Sequence, residues 1–301
     1  GNVTGLILLG SFASREGSVA IAGGAPVFLS DIDLLLVVSG REAHEKLYPQ
    51  RTRIAADCED LLPGAIFDGR IDLGVMTRDE LPAMPHSPGV FDIKKIGMVL
   101  HGDESLKSLL PSFPPDAIGA REALRLLDNR MAAFLGCLPV DLGGGEIERL
   151  RLLYGISKVY TDIITGTMSA HGKYMSGYAE RAGHEGLENM LGAGPAETAA
   201  RWTRFKIDPT GEQPPLDVDR EKEWLAAAGD LLAARDRVRG MTDGDSKDRP
   251  PSVDLYRAWR NTVPGIPMAL RLAAAGARPD EHLRREAVRL IRHAVDEGIT
   301  G

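Results

Sequence analysis

Residues 30–38 read SDIDLLLVV, in which an Asp-Ile-Asp motif is followed at once by five apolar residues. A continuous apolar run of this length predicts a strand that is covered on both faces. Side chains two residues apart in a strand point to the same face, so Asp31 and Asp33 should present both carboxylates on one side. The stretch therefore predicts a buried strand that begins with a pair of carboxylates.

Two other segments predict strands in the first third of the chain. Residues 3–9 (VTGLILL) form a short apolar run that ends at Gly10-Ser11. Residues 67–76 (FDGRIDLGVM) contain Asp72 between two apolar neighbours. Apolar runs bounded by glycine and polar residues are typical of strands. Together with 30–38, these segments predict a small mixed β-sheet.

The hydrophobic pattern changes to a helical period from Pro114 onward. Apolar residues recur at the spacing of one helix face across 124–135. Further helices are predicted at 146–165, 174–191, 195–206, 219–241, 253–275 and 279–297, and one earlier helix at 41–62. The patterns predict an α+β fold with a small mixed-sheet domain at 1–113 and an all-helical domain at 114–301.

Composition argues against several classes of function. The 301-residue chain has a formal net charge of −7, so nucleic acid is not expected to be its main partner. No apolar run approaches the roughly 20 residues that span a bilayer, so no membrane partner is expected. Cys58 and Cys137 form neither a disulfide framework nor a metal-ligand pattern. They are expected to be small buried residues of a cytoplasmic protein.

The paired aspartates indicate the chemistry of a metal site. Adjacent carboxylates repel each other, which disfavours the pair unless a cation neutralises it. Carboxylate oxygens suit Mg²⁺, which also takes ligands from a substrate's phosphates. With Asp72 as a third carboxylate on a neighbouring strand, two ions could lie about 4 Å apart, one activating an attacking hydroxyl and one stabilising the leaving pyrophosphate. Glycine at position 10 lets backbone N–H groups and the Ser11 hydroxyl approach a triphosphate closely.

The segments LLGSFASREGS, SDIDLLLVV and RIDLGV resemble the polymerase-beta-like nucleotidyltransferase superfamily. The pattern is similar to that of bacterial enzymes that modify small molecules, such as the aminoglycoside and lincosamide nucleotidyltransferases. The resemblance implies that Gly10 and Ser11 form the triphosphate-binding turn. It also implies that Asp31 and Asp33 bind both metal ions, with Asp72 as the third carboxylate. The chain departs from the family pattern at residues 19–28 (VAIAGGAPVF), which are expected to be an insertion.

The resemblance implies a metal-dependent nucleotidyltransferase that uses two Mg²⁺ ions. It would transfer a nucleoside monophosphate, AMP from ATP by default, to a hydroxyl of a small-molecule or protein acceptor and release pyrophosphate. Family members often draw a cation from the helical domain, so Lys158 on the predicted helix 146–165 is expected to bind the phosphates. The other interpretation of Lys158 is an exposed helix face on which it forms an i,i+4 ion pair with Asp162.

Two alternative functions stay open at the level of sequence. The first is a metal-dependent glycosyltransferase that uses Asp31 and Asp33 to bind the metal of a sugar nucleotide. Asp-x-Asp motifs occur in such enzymes and also in haloacid-dehalogenase phosphatases, where the pair follows a strand. Here the pair precedes the apolar run, and neither family explains the upstream Gly10-Ser11. The second alternative is a toxin–antitoxin or regulatory component that has this fold and acts mainly through a protein partner.

Overall fold

The computed structural model describes residues 2–62, 65–66, 71–136, 145–210 and 220–242. In these residues the chain is mixed α+β, with a small mixed sheet and many helices, as the sequence predicts. The predicted helices at 253–275 and 279–297 lie outside the described residues, as does Cys137.

Seven strands are present in the described part of the chain. They are β1 (Val3–Leu8), β2 (Val19–Ala22), β3 (Ala25–Phe28), β4 (Ile32–Val38), β5 (Ala65–Ile66), β6 (Ile71–Thr77) and β7 (Met98–Gly102). The main sheet has the order β6-β4-β1-β7. Strand β4 runs parallel to β6 and antiparallel to β1, so the sheet is mixed. The prediction of a buried strand is confirmed for β4, where Leu35, Val37 and Val38 are buried.

Residues 19–28, expected to be an insertion, form a β-hairpin of β2 and β3. The hairpin turns at Gly23 and Gly24, whose φ angles are +59° and +80°. Two-residue hairpin turns of this kind need positive φ at both central positions, which glycine adopts without steric cost. A Gly-Gly pair between two short apolar runs was therefore the signal for this hairpin.

Eleven α-helices lie in the described residues. They are α1 (Gly10–Ala13), α2 (Arg41–Leu47), α3 (Arg51–Glu59), α4 (Pro88–Ile96), α5 (Ser105–Leu109), α6 (Gly119–Gly136), α7 (Glu146–Ala170), α8 (Tyr178–Ala182), α9 (Leu187–Leu191), α10 (Ala193–Ile207) and α11 (Arg220–Gly240). The helices predicted at 146–165, 195–206 and 219–241 are confirmed as α7, α10 and α11.

Two helix predictions need correction, and helix α4 was missed. The predicted helix 41–62 is interrupted by a 3-10 turn at Tyr48–Gln50, because Pro49 has no N–H with which to continue an α-helix. The predicted helix 174–191 is two short helices, α8 and α9, separated by a glycine-containing turn. Helix α4 was not predicted, although Pro88 begins it and the Ser87 hydroxyl caps it by accepting the Val90 N–H at 3.2 Å.

The chain forms two compact units. The first contains residues up to Ile118, together with Gly172–His184 and the segment that begins at Arg204. The second contains Gly119–His171, Glu185–Thr203 and α11. The predicted domains, 1–113 and 114–301, are two continuous stretches of chain. In the structure, two segments from the second stretch, Gly172–His184 and the one that begins at Arg204, belong to the first unit.

Burial of the remaining predicted core residues is mixed. Trp202 and Trp224 stand among apolar residues at helical spacing, which predicts core positions, and both are buried. Cys58 was expected to be buried, and that expectation is wrong: it is a free cysteine on the exposed side of α3. The apolar pattern around it was too weak to define a buried helix face. In the part of the chain that the structure describes, no helix has the length and apolar character needed to cross a membrane.

The core of the second unit contains a buried ion pair. Helices α6, α7 and α11 pack together there. Nε of Arg235 on α11 donates to Oδ1 of Asp128 on α6 at 2.9 Å, and the Arg235 side chain is only 1% exposed. Nη1 of the same guanidinium also lies 3.7 Å from Oδ1 of Asp236, whose side chain is 54% exposed. Of these two carboxylates, Asp128 is the buried one and makes the shorter contact with the guanidinium.

Asp128→Asn is expected to lower the free energy of unfolding by about 3 kcal/mol, because it removes the buried carboxylate that is hydrogen-bonded to a buried guanidinium. The matched control is Asp236→Asn, which should cost less than about 1 kcal/mol because that carboxylate is mainly solvated. Urea denaturation followed by circular dichroism measures both values. Equal losses for the two variants would show that the Arg235–Asp128 pair does not stabilise this unit.

Candidate functional site

Asp33 and Asp72 are direct neighbours across two parallel strands. In the register of β4 and β6, the Cα atom of Asp33 is paired with that of Asp72. Neighbouring strands lie about 4.8 Å apart, and paired residues direct their side chains to the same face of the sheet. The Asp33 side chain is half-buried and that of Asp72 is exposed. The two carboxylates therefore lie side by side near the edge where both strands begin.

Asp31 lies immediately before β4 and is half-buried. The aspartate pair is thus found at the beginning of the strand, as the sequence predicts. Strand β4 is held on both sides, by β6 and by β1. Hydrogen bonds to both neighbouring strands therefore hold the backbone of β4, which Asp31 directly precedes and which contains Asp33.

Gly10 is in close contact with the Asp33 side chain. Its φ angle is +60°, and a Cβ atom built on it would lie 2.0 Å from Oδ2 of Asp33. The preceding residue, Leu9, donates its N–H to the Asp33 carbonyl oxygen at 2.8 Å. No larger residue fits here without displacing the carboxylate, so the glycine brings the turn directly against the aspartate.

The Ser11 backbone is fixed by the loop that follows α1. Its side chain is buried, and its carbonyl oxygen accepts the N–H of Glu16 at 2.7 Å and the hydroxyl of Ser14 at 3.0 Å. Gly10 and Ser11 therefore form a turn that contacts Asp33 on one side and is closed by residues 14–16 on the other. The sequence predicted the turn but not this support.

The carboxylates supply the type of ligand that magnesium prefers. Asp31, Asp33 and Asp72 offer only hard oxygen atoms, and one of the three carboxylates, that of Asp33, lies close to the backbone of Gly10. Within the described ranges, no group of three or more His, Cys, Asp or Glu side chains is arranged to hold a metal ion. The donor type fits a Mg²⁺ ion that keeps water and takes phosphate oxygens as further ligands. The three-carboxylate, two-ion arrangement stays a prediction.

Lys158 lies on α7, in the second unit, and is half-buried. Its ammonium group is 5.5 Å from the centre of the Tyr154 ring, within the range of a cation–π interaction. Asp162, the partner in the alternative interpretation, accepts from Nε of Arg130 at 2.5 Å. The predicted contact between Lys158 and a triphosphate stays a prediction.

A buried polar network in the first unit was not predicted. The Tyr174 hydroxyl donates to Oδ2 of Asp92 at 2.6 Å, and Nη1 of Arg181 donates to the Tyr174 oxygen at 3.0 Å. Burial raises the pKa of the Asp92 carboxyl above its ordinary value, although the nearby Arg181 guanidinium opposes that rise. Burial likewise raises the pKa of Tyr174. The sequence of 172–181 (GKYMSGYAER) contains the two tyrosines and Arg181, for which packing is the favoured prediction, but no sequence pattern indicates that Asp92 joins them.

Comparison with known proteins adds no family assignment. No protein-family model matches the chain, and a search of curated proteins finds no match. The resemblance to nucleotidyltransferases therefore rests on the motifs and on the positions of their residues in the fold.

Gly10→Ala is expected to lower the free energy of unfolding by about 3 kcal/mol, since it combines a left-handed φ with a clash against a carboxylate. The matched control is Gly23→Ala, at almost the same φ but with nothing within 4 Å of the added Cβ atom. The control should lose only about 1 kcal/mol. Chemical denaturation of both variants gives the difference, and a difference near zero would mean that the Gly10–Asp33 contact is not made in solution.

Proposed function

We propose that this chain is a metal-dependent nucleotidyltransferase. It transfers a nucleoside monophosphate, with ATP as the default donor, to a hydroxyl group of a small-molecule or protein acceptor and releases pyrophosphate. The observation that supports it most is the juxtaposition of three elements at one edge of the sheet. Asp33 lies beside Asp72 across parallel strands, and Gly10 of the Gly-Ser turn lies against the Asp33 carboxylate.

The proposed reaction is a displacement at the α-phosphorus of the donor. The acceptor oxygen attacks this phosphorus and forms a new P–O bond, while the bond from the α-phosphorus to the oxygen that bridges to the β-phosphate breaks. Pyrophosphate leaves with the bonding electron pair. Asp72 is exposed, so its carboxylate is accessible to an acceptor and is assigned to accept the hydroxyl proton.

The remaining residues bind and orient the donor. Backbone N–H groups at Gly10 and Ser11 hold the triphosphate next to the carboxylates, since a glycine leaves room for close approach. Asp31 and Asp33 would hold magnesium together with Asp72. When bound, magnesium neutralises the phosphates and stabilises the charge that develops on the leaving pyrophosphate. Lys158 is assigned to the same phosphates on the basis of the resemblance alone.

The position of the aspartate pair favours this proposal over a glycosyltransferase. A glycosyltransferase of the type considered has its Asp-x-Asp motif after a strand, whereas here Asp31 and Asp33 are at the beginning of β4. A glycosyltransferase also gives no role to the contact between Gly10 and Asp33. A transfer screen with α-³²P-labelled nucleoside triphosphates over hydroxyl-bearing small molecules and proteins distinguishes nucleotidyl transfer from the partner-binding alternative. Label on an acceptor supports nucleotidyl transfer, and copurification with a specific protein without transfer supports the partner-binding alternative.

Asp33→Asn is expected to reduce nucleotidyl transfer at least about a hundredfold, because it removes a charged ligand of the proposed metal site. The variant should unfold at the same denaturant concentration as the wild type or higher, since it removes one of two carboxylates that repel each other. Asp57→Asn, at an exposed position on α3, is the matched control and should leave transfer unchanged. A folded Asp33→Asn protein with normal turnover would remove the basis of the proposal.

ATP is expected to stabilise the protein only when a divalent cation is present. The triphosphate and the carboxylates are all negatively charged, so they repel each other until a cation lies between them. At ATP concentrations of about 100 times Kd, the free energy of unfolding should increase by about 2.7 kcal/mol with magnesium. Thermal unfolding with ATP in magnesium and in chelator measures the effect. Equal shifts under both conditions would contradict the metal-dependent site.

A further inference from the structure

The loop after the Gly10–Ser11 turn is held by a segment from much later in the chain. The two carboxylate oxygens of Glu16 accept the backbone N–H groups of Tyr178 and Ala179, each at 2.8 Å. Both donors lie at the start of α8, which belongs to the same compact unit as the sheet. Glu16 therefore joins the loop to α8 through two charge-assisted hydrogen bonds.

Lys206 holds the backbone of the same residue. Its side chain is 1% exposed, and its ammonium group donates to the carbonyl oxygen of Glu16 at 2.7 Å. The ammonium also lies 4.2 Å from the centre of the Tyr178 ring, and the Ser18 hydroxyl donates to the Lys206 carbonyl oxygen. A buried ammonium group is costly unless its donors are satisfied. The buried Lys206 side chain therefore helps to hold the Glu16 backbone in place.

Arg15, between the turn and Glu16, has an unfavourable backbone conformation. Its φ is +64°, and it is the one non-glycine residue with positive φ in the described part of the chain. Its side chain is exposed, so packing of that side chain does not fix this conformation. Such strain persists only where the surrounding structure maintains it. The contacts on Glu16 supply that support, and the Glu16 N–H transmits it to Ser11 through the bond to the Ser11 carbonyl oxygen.

We propose that Glu16 is a positioning residue that holds the Gly10–Ser11 turn in the conformation that receives the triphosphate of the donor. The inference rests on the proposed function, because it assigns a role to the turn only when a triphosphate binds there. Glu16 touches neither substrate nor metal. It acts by fixing the strained loop so that the backbone donors of the turn are ordered before the nucleotide arrives, which lowers the entropic cost of binding.

Glu16→Gln tests this role because it preserves shape but replaces one acceptor oxygen with an NH₂ group that faces an N–H donor. Calorimetry gives the Kd of ATP and of inorganic tripolyphosphate, each with magnesium, for the full chain. Both affinities are expected to fall at least about tenfold, the loss typical of one charge-assisted hydrogen bond. Hydrogen exchange over residues 10–18 should become faster. Glu104→Gln, an exposed glutamate in the same unit, is the control and should change neither measurement.

The two probes separate a positioning role from a merely structural one. Tripolyphosphate carries no base or sugar, so a parallel loss for both ligands reports on the turn itself. If hydrogen exchange becomes faster but the two affinities do not change, the inference is overturned and the proposed function still stands. The same holds if neither the exchange rates nor the affinities change. A wild-type protein that binds neither ligand with magnesium would overturn the proposed function and with it the inference.

A second variant covers the case in which Glu16→Gln does not fold. Glu16→Asp keeps the negative charge near the buried Arg181 and Lys206 but shortens the side chain by one methylene group. It is expected to fold, to exchange faster over residues 10–18 and to lose affinity for both ligands. Wild-type affinity and exchange in Glu16→Asp would overturn the inference.

Discussion

The pairing of β4 with β6 forces two like charges together, and the candidate site depends on that constraint. Each strand has an aspartate at its second position, and the parallel register makes Asp33 and Asp72 neighbours. Alternate apolar residues that follow them, such as Leu35 and Leu73, are buried, so a slip of one residue would turn these side chains to the wrong face. Hydrophobic burial in the body of the sheet therefore keeps these two carboxylates next to each other where the strands begin.

The position of the Gly10–Ser11 turn is coupled to that of Asp33 through Gly10. Because the Gly10 backbone lies against Oδ2 of Asp33, movement of the turn also displaces a carboxylate. The chain continues from this turn to Arg15 and Glu16, and Glu16 is hydrogen-bonded to α8 and to Lys206. Contacts thus run without a gap from the sheet edge to segments 172–184 and 204–210. This continuity explains why two late segments belong to the same compact unit as the sheet.

The sequence predicted the elements that depend only on a short stretch of residues. The strand at 32–38 was predictable from its apolar run, and the long helix α7 from its period. The sequence suggested that Asp72 lies on a strand next to the aspartate pair, but not that it is paired with Asp33, because register is a property of two strands. The bonds from Glu16 to Tyr178 and Ala179 join residues 162 and 163 positions apart, and no periodicity encodes such a contact. The prediction that Cys58 is buried was wrong for a related reason. Whether a residue on a short helix is buried depends on which other segments of the chain pack over it.

Charge balance in the first unit bears on how a triphosphate could bind there. Arg181 and Lys206 are its deeply buried cations, 3% and 1% exposed. Arg181 is committed to Tyr174 and the Met175 carbonyl oxygen, and Lys206 to the Glu16 carbonyl oxygen. Withdrawing either from its partners would leave buried polar groups unpaired, at a cost of several kcal/mol. These two cations stabilise the fold and cannot also neutralise phosphates at the carboxylate edge. A triphosphate held by Gly10 and Ser11 beside Asp33 therefore takes no counter-charge from Arg181 or Lys206, which is consistent with the proposal that a divalent cation binds together with the nucleotide.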